Sequence, residues 1–199
     1  MRHMIGLTQR VERQENYSEK RDCLDQRWQR VLDEIGALIV PIPNDPTNFS
    51  HFASAISFSG FILTGGNDLS AYGGAAPERD TLEAQLLQYA ADQFLPVLGV
   101  CRGMQFMHVD DGGSLSAVKG HVRTRHSLSF QGQQIDVNSY HTWGIHQTSA
   151  HFNALCVSED GAVEAFQHTK NPWIGIMWHP EREDVLADHD RGILESLFK

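Results

Sequence analysis

A lone cysteine between two glycines, where an apolar strand runs into a helix, has the setting of a nucleophile. The segment Pro96-Val97-Leu98-Gly99-Val100-Cys101-Arg102-Gly103-Met104-Gln105 has that form. A cysteine so placed sits on a sharp, strained strand-to-helix turn, its sulfur held at the carboxyl end of a sheet. Strand and helix come too close there for side chains at the flanking positions, so the turn requires Gly99 and Gly103. The helix amino terminus behind Cys101 carries partial positive charge and favours thiolate over thiol. The same spelling alone would suit a buried structural cysteine; the strand before it and the helical pattern after it favour the nucleophile. A base stands near the carboxyl terminus, in Trp173-Ile174-Gly175-Ile176-Met177-Trp178-His179-Pro180-Glu181. An apolar strand ends in His179, and Pro180 fixes a turn that can bring Glu181 back beside the imidazole. His179 can accept or return a proton, and Glu181 can hold its tautomer and stabilise the imidazolium. On its own His-Pro-Glu would suit a surface turn; with the cysteine elbow it makes a coherent Cys-His-Glu triad.

Attack by such a thiolate on an amide carbonyl creates an oxyanion, which backbone N–H groups can stabilise without reorganising. One donor is expected from Arg102, directly after the nucleophile. The second is expected from the turn Leu63-Thr64-Gly65-Gly66-Asn67-Asp68, from Gly66 first and Asn67 next. In a parallel sheet that turn lies at the same carboxyl edge as the elbow.

The elements needed to position these groups are visible in the periodicity. Strands are expected at Met4–Thr8, Leu38–Ile42, Phe61–Thr64 and Val97–Val100. Between them, helices are expected over Asp22–Ile35, Thr47–Ser57 and Asp80–Phe94, the last opened by Asp80 and Glu83 as a capping box. This alternation signals an α/β fold with a parallel sheet and helices on both faces. The second half reads as short strands, Val122–Phe130, Gln134–Asn138, Ala154–Ser158 and Val163–Gln167, an antiparallel extension. Trp173–Trp178 returns to the sheet and Asp188–Phe198 closes as a helix.

The 199 residues suffice for one domain with a sizeable core, expected to span 1–199. A net charge of -9 argues against nucleic-acid binding and against an anionic membrane surface. No apolar run approaches the ~20 residues that span a bilayer, and no signal peptide is visible. Three widely spaced cysteines fit free thiols in a reducing cytosol, so a cytoplasmic location is expected.

Together, Gly-Val-Cys-Arg-Gly-Met-Gln and Met-Trp-His-Pro-Glu resemble the class I glutamine amidotransferase superfamily, and within it the stand-alone γ-glutamyl hydrolases of the peptidase C26 type. The likeness covers nearly the whole chain. It takes in Ile5-Gly6-Leu7-Thr8-Gln9-Arg10, the glycine turn, Gly112-Gly113-Ser114-Leu115 and Val137-Asn138-Ser139-Tyr140-His141. It implies a flavodoxin-like fold: a central, mostly parallel sheet with helices on both faces and a small antiparallel extension. It implies hydrolysis of a γ-glutamyl amide through a γ-glutamyl thioester, without cofactor or metal, on a small-molecule conjugate; a homodimer stays open. Gln105 occupies a position that helps bind the glutamyl backbone in relatives, and His141 one that lines the pocket. Relatives commonly carry glutamine two residues past that histidine. Here Trp143 replaces the amide with a flat ring, which leaves the leaving group open.

Lys119-Gly120-His121-Val122-Arg123-Thr124-Arg125-His126 concentrates positive charge in an acidic chain, with Lys119, His121, Arg123 and Arg125 on one face if extended. It reads as a solvated strand face or as an anion-binding rim, with Arg123 and Arg125 as the contacts. The segment through Tyr17, Arg21, Asp22, Cys23 and Leu24 can overhang the site. Asp110-Asp111 and Asp188-His189-Asp190 lack convincing metal-ligand spacing, and no metal is expected. Three functions compete. The first is a free-standing γ-glutamyl hydrolase. Within it the chain also resembles hydrolases of bacterial capsule phosphoramidate pathways, which release cytidine diphosphoramidate, a leaving group that a basic rim and a stacking Trp143 would suit. The second is a glutaminase that feeds ammonia to a separate synthase. The third is a non-catalytic member of the DJ-1/PfpI group, disfavoured because those proteins usually place histidine where Arg102 stands.

Overall fold

Short runs of Val, Ile, Leu and Phe, bounded by Gly and Pro, build the sheet of this computed structural model, which describes residues 3–199. The first half contains β1 (Met4–Thr8), β2 (Arg10–Gln14), β3 (Glu19–Cys23), α1 (Arg27–Asp33), β4 (Leu38–Ile42), α2 (Phe49–Ala55), β5 (Gly60–Leu63), α3 (Pro77–Asp92), β6 (Val97–Val100) and α4 (Arg102–Asp110). The second half contains β7 (Ser116–Ala117), β8 (Val122–Phe130), β9 (Gln133–Tyr140), β10 (Trp143–Gly144), β11 (Phe152–Val157), β12 (Val163–His168), β13 (Trp173–Ile176) and α5 (Asp188–Phe198).

Seven strands form the main sheet in the order β11-β12-β13-β6-β5-β1-β4. From β13 to β4 all neighbours are parallel, while β12 and β11 join antiparallel at one end. Side chains alternate between faces, so two apolar layers result. Ile62 and Leu98 join Trp28, Leu32, Ile193 and Phe198 on the α1/α5 side. Phe61 and Leu63 join Phe49, Leu82, Leu86 and Met104 on the α2/α3/α4 side. The β8–β9 hairpin is a separate two-stranded ribbon that packs Leu128, Phe130, Ile135 and Val137 into the core on the α1/α5 side. The parallel order places the ends of β5, β6 and β13 side by side, and these ends carry Gly65-Gly66, Cys101 and His179.

Three local expectations need correction. The helix expected from Asp22 begins at Arg27, because residues 10–23 form the β2–β3 hairpin instead. That hairpin alternates charged and apolar residues weakly, so its period is faint in the sequence. The capping box at Asp80 and Glu83 does not form: α3 starts with Pro77 at its first turn, and both carboxylates lie inside the helix, turned toward Arg102. The basic run does not present one face. A register shift lies between Val122 and Thr124, and Arg123 adopts φ 56° there.

Candidate active site

Cys101 takes φ 52° and ψ -104°, a strained backbone for a residue with a side chain. The turn is locked on both sides: Cys101 N–H donates to the Ile176 carbonyl at 2.8 Å, and Gln105 N–H to the Cys101 carbonyl at 3.0 Å. The need for both glycines is steric. A Cβ on Gly103 would lie 2.0 Å from the Leu63 carbonyl oxygen, and one on Gly99 2.4 Å from Met107 Sδ. The thiol is buried yet borders a cavity of about 290 Å³.

His179 lies beside it. Its Nδ1 is 2.6 Å from Glu181 Oε1, and its Nε2 has no hydrogen-bond partner among the described residues. Asn138 fixes the histidine backbone from both directions, accepting from His179 N–H at 3.0 Å and donating to its carbonyl at 2.9 Å. Burial alone would raise the Cys101 pKa, but the charge of the neighbouring His179 outweighs burial, so the thiol sits below its ordinary value. Burial alone would lower the His179 pKa, but the Cys101 and Glu181 charges outweigh it and raise the imidazole to about 9. Each shift favours the charged form of its group, so the arrangement favours thiolate and imidazolium facing one another.

A buried charge network holds the edge of this cavity. Arg79, fully buried, donates to the carbonyls of Thr64 at 2.6 Å, Gly65 at 3.2 Å and Gly66 at 2.5 Å. A peptide is planar and trans, so a Gly65 carbonyl drawn to Arg79 sends the Gly66 N–H the opposite way. Gly66 itself adopts φ 85° and lines the cavity. The Arg102 guanidinium is bound by Glu83 and Asp80, while its N–H lies at the α4 amino terminus. Glu83 also bonds Arg79 at 3.0 Å and Thr8 at 2.8 Å, so one carboxylate joins the glycine turn to the elbow.

The cavity gathers most of the expected residues: Cys101, Arg102, Gly66, Asn67, Gln105, His141, Trp143 and His179 all line it. Several have inner partners. Asn67 clamps Val11 through its Oδ1 and Nδ2, at 2.8 and 2.9 Å. Gln105 Nε2 donates to the Trp143 carbonyl at 2.9 Å. Trp143 packs edge-on against Tyr72, ring centres 5.0 Å apart. Cys23 and Leu24 wall an adjoining cavity that shares Gly66, His179 and Arg182, so the opening hairpin does border the site; Tyr17 is exposed elsewhere. Asp111 is taken up by His151 at 2.6 Å and Asp190 by Trp178 at 2.7 Å.

Arg123 and Arg125 are not brought to the cavity. Arg125 is held by Asp136 and by Glu183, the latter at 2.9 Å, and Arg123 is exposed at the register shift. The cation that does line it is Arg182, 4.3 Å above the Tyr140 ring. Arg182 directly follows His-Pro-Glu, so the same turn that places the base places this charge. Arg79 and Asn138 were also missed as positioning groups, because their partners lie far away in sequence.

The sequence profile of the peptidase C26 family matches residues 3–129 and 122–181. The γ-glutamyl-CDP-amidate hydrolase of Campylobacter jejuni is 33% identical over 186 residues, 92% of each chain. Among solved structures, a GMP synthase component from Thermoplasma acidophilum superposes with a TM-score of 0.75 at 22% identity, covering 100% of this chain and 93% of that one. A glutamine amidotransferase of Thermotoga maritima gives a TM-score of 0.66 at 14% identity over 98% and 82%. The fold is the flavodoxin-like one of class I glutamine amidotransferases, as the sequence led one to expect.

Proposed function

The chain belongs to the peptidase C26 family, and from that premise we propose that it hydrolyses γ-glutamyl amides with Cys101 as nucleophile. The observation that carries the assignment of roles is geometric: Cys101 on its strained elbow and His179, held by Glu181 at 2.6 Å, line one cavity. The Cys101 thiolate attacks the γ-carbonyl carbon. The oxyanion that forms is stabilised by the N–H groups of Arg102 and Gly66, whose carbonyl-side geometry Arg79 holds in advance. His179 gives its Nε2 proton to the departing nitrogen, the C–N bond breaks, and a γ-glutamyl thioester remains. Water then attacks the thioester, His179 takes a proton from it, and collapse releases glutamate and returns the thiolate. Glu181 holds the imidazole through Nδ1 in both half-reactions.

Arg182 offers the cation for an anionic part of the substrate, since the Arg102 guanidinium is already bound. An anionic conjugate is the preferred substrate in this reading, and the Campylobacter jejuni relative supports a nucleoside diphosphoramidate as its leaving group. The enzyme is taken to act as a single domain in the cytoplasm, where its three unpaired cysteines stay reduced; burial pushes the Cys156 thiol up to about 12 and leaves it inert. No helix among the described residues is long and apolar enough to cross a membrane.

Glutamate release across a panel of γ-glutamyl conjugates tests the proposal. Wild type should turn over anionic conjugates faster than glutamine, and Cys101→Ala should abolish turnover with the fold intact. Arg182→Ala should raise KM for a phosphorylated conjugate by roughly 1.5–3 kcal/mol, the worth of a charge-assisted hydrogen bond. Turnover of glutamine alone, rising when a synthase is added, would replace this reading with that of a glutaminase serving a synthase.

A further inference from the structure

Behind the cavity wall, four side chains distant in sequence converge. His121 precedes β8, His126 lies on β8, His141 follows β9 and Glu164 lies on β12. Each offers one ligating atom, and these atoms all lie within 4.8 Å of one another. His121 Nδ1 and His141 Nε2 are 3.2 Å apart, and Glu164 Oε1 is 3.4 Å from the first and 3.5 Å from the second. Ligands about 2.0–2.1 Å from a tetrahedral ion stand about 3.3–3.4 Å from each other. The three measured separations match the edges of that tetrahedron.

Where the protons must be makes the case stronger. His141 Nδ1 is 2.9 Å from the Trp143 carbonyl, which only accepts, so Nδ1 carries the hydrogen. His121 Nε2 is 2.9 Å from an Asp160 carboxylate that also accepts from Ser158 and Ala162, so Nε2 carries it there. Both neutral imidazoles then aim lone pairs at each other and at Glu164. The Glu164 side chain is fully buried, and neither of its oxygens has a hydrogen-bond partner; His126 Nε2 has none either. A single proton would pair two of these acceptors and strand the rest, and burying unpaired acceptors is costly. One cation satisfies all four. The outer acceptors, a carboxylate on His121 and a carbonyl on His141, are the partners that metal-bound imidazoles characteristically have.

We propose that His121, His126, His141 and Glu164 bind a Zn²⁺ ion. Three imidazoles and a carboxylate at these spacings suit zinc, and four protein ligands leave no open position, so the ion is structural. It ties the β8–β9 hairpin and the loop carrying His141 to β12 in the main sheet. It thereby braces the wall that presents Trp143 to the cavity.

Elemental analysis of untagged protein, purified without chelator, should find about one zinc per chain. Protein stripped with a chelator should melt lower and regain its Tm with one equivalent of Zn²⁺. Co²⁺ added to stripped wild type should give the intense visible bands of tetrahedral coordination, a readout that needs no variant. His126→Ala and Glu164→Ala should each lower zinc content to under about a tenth per chain. His151→Ala, at an exposed histidine beside Asp111, should retain it. Less than a tenth of a zinc per wild-type chain together with weak, octahedral Co²⁺ bands would overturn the proposal. So would loss of metal in His151→Ala but not in His126→Ala, the signature of adventitious surface binding.

Discussion

Glu83, under the elbow, and Glu164, behind the cavity wall, are both carboxylates with no exposure, yet their surroundings are opposite. Glu83 accepts from Arg79, Arg102 and Thr8, and it sits below its ordinary pKa because the two guanidinium charges and these hydrogen bonds outweigh its burial. Glu164 faces two imidazoles and has no hydrogen bond. Two other buried carboxylates lie between these extremes. Glu181 is held by one imidazole and Asp190 by one indole, at 2.6 and 2.7 Å. A carboxylate that is fully partnered by its own chain fixes a geometry. One left with acceptors around it marks a place where something outside the chain completes the structure.

If that contrast is right, removing Glu83 has the largest effect. Glu83→Ala leaves Arg79 and Arg102 buried with their like charges facing; Arg79 is already drawn down to about 10, by burial and then by Arg102. Breaking a buried pair from one side costs about 3–5 kcal/mol, and denaturant unfolding should show a loss of that order. Activity should fall further than stability explains, because Arg79 then no longer orients the Gly65 and Gly66 carbonyls. A stable variant with normal kcat would show that the network does not set the oxyanion turn.

Glu181→Gln comes next. The amide still accepts from His179 Nδ1 but brings no charge, so the imidazole should fall from about 9 toward its ordinary value. kcat should drop about 100-fold or more, less than in Cys101→Ala. The sign in pH is defined. A histidine raised on folding contributes stability that is full below its unfolded value near 6.5 and is lost as pH rises through about 9. The lowered Cys101 contributes above its unfolded value and loses that contribution as pH falls through its folded one. The two titrate as a pair. Wild-type rates should therefore fall at the alkaline end near 9, and Glu181→Gln should move that limb to lower pH; an unmoved limb would separate it from His179.

Asp190 should give a smaller, purely structural effect. Burial raises its carboxyl to about 7 against the one hydrogen bond from Trp178, with the Glu183 and Glu181 charges adding to the rise. An acid raised on folding contributes stability below its unfolded value, near 3.8, that is lost as pH climbs through about 7. The Tm of wild type should thus decline between acid and mildly alkaline pH. Asp190→Asn keeps an acceptor for the indole and removes the charge, so its Tm should be flatter across the same range, with kcat unchanged.

What could be read from the sequence was what is spelled locally. The elbow, the Gly65-Gly66 turn and His179-Pro180-Glu181 each place their chemistry within a few residues, and the parallel alternation brought the three to one edge. The β2–β3 hairpin was missed because a charged, two-sided ribbon has little periodicity. Arg79 was missed because its work is done on carbonyls 13 to 15 residues back. Arg123 and Arg125 were placed at the site by an alternation that one register shift interrupts. The histidine cluster showed no ligand spacing at all, since His121, His126, His141 and Glu164 meet only when a hairpin folds onto β12.

Glu164 yields the smallest effect, and the one that most sharpens the contrast. In zinc-free protein, Glu164→Ala removes a buried charge that the chain does not satisfy, so little stabilisation is lost and some repulsion among acceptors is relieved. Denaturant unfolding of stripped wild type and stripped Glu164→Ala should then agree within about 1 kcal/mol, with the variant the more stable if they differ. Glu83→Ala, at equal burial and equal side-chain chemistry, should stand several-fold further from wild type under the same conditions. With zinc present the comparison changes: wild type should gain stability and Glu164→Ala should not, because ligand binding stabilises only the folded form that holds the site. Equal losses for the two variants in zinc-free protein would mean that the neighbouring imidazoles pair Glu164 as well as arginine pairs Glu83. The contrast between the two carboxylates would then be one of geometry alone.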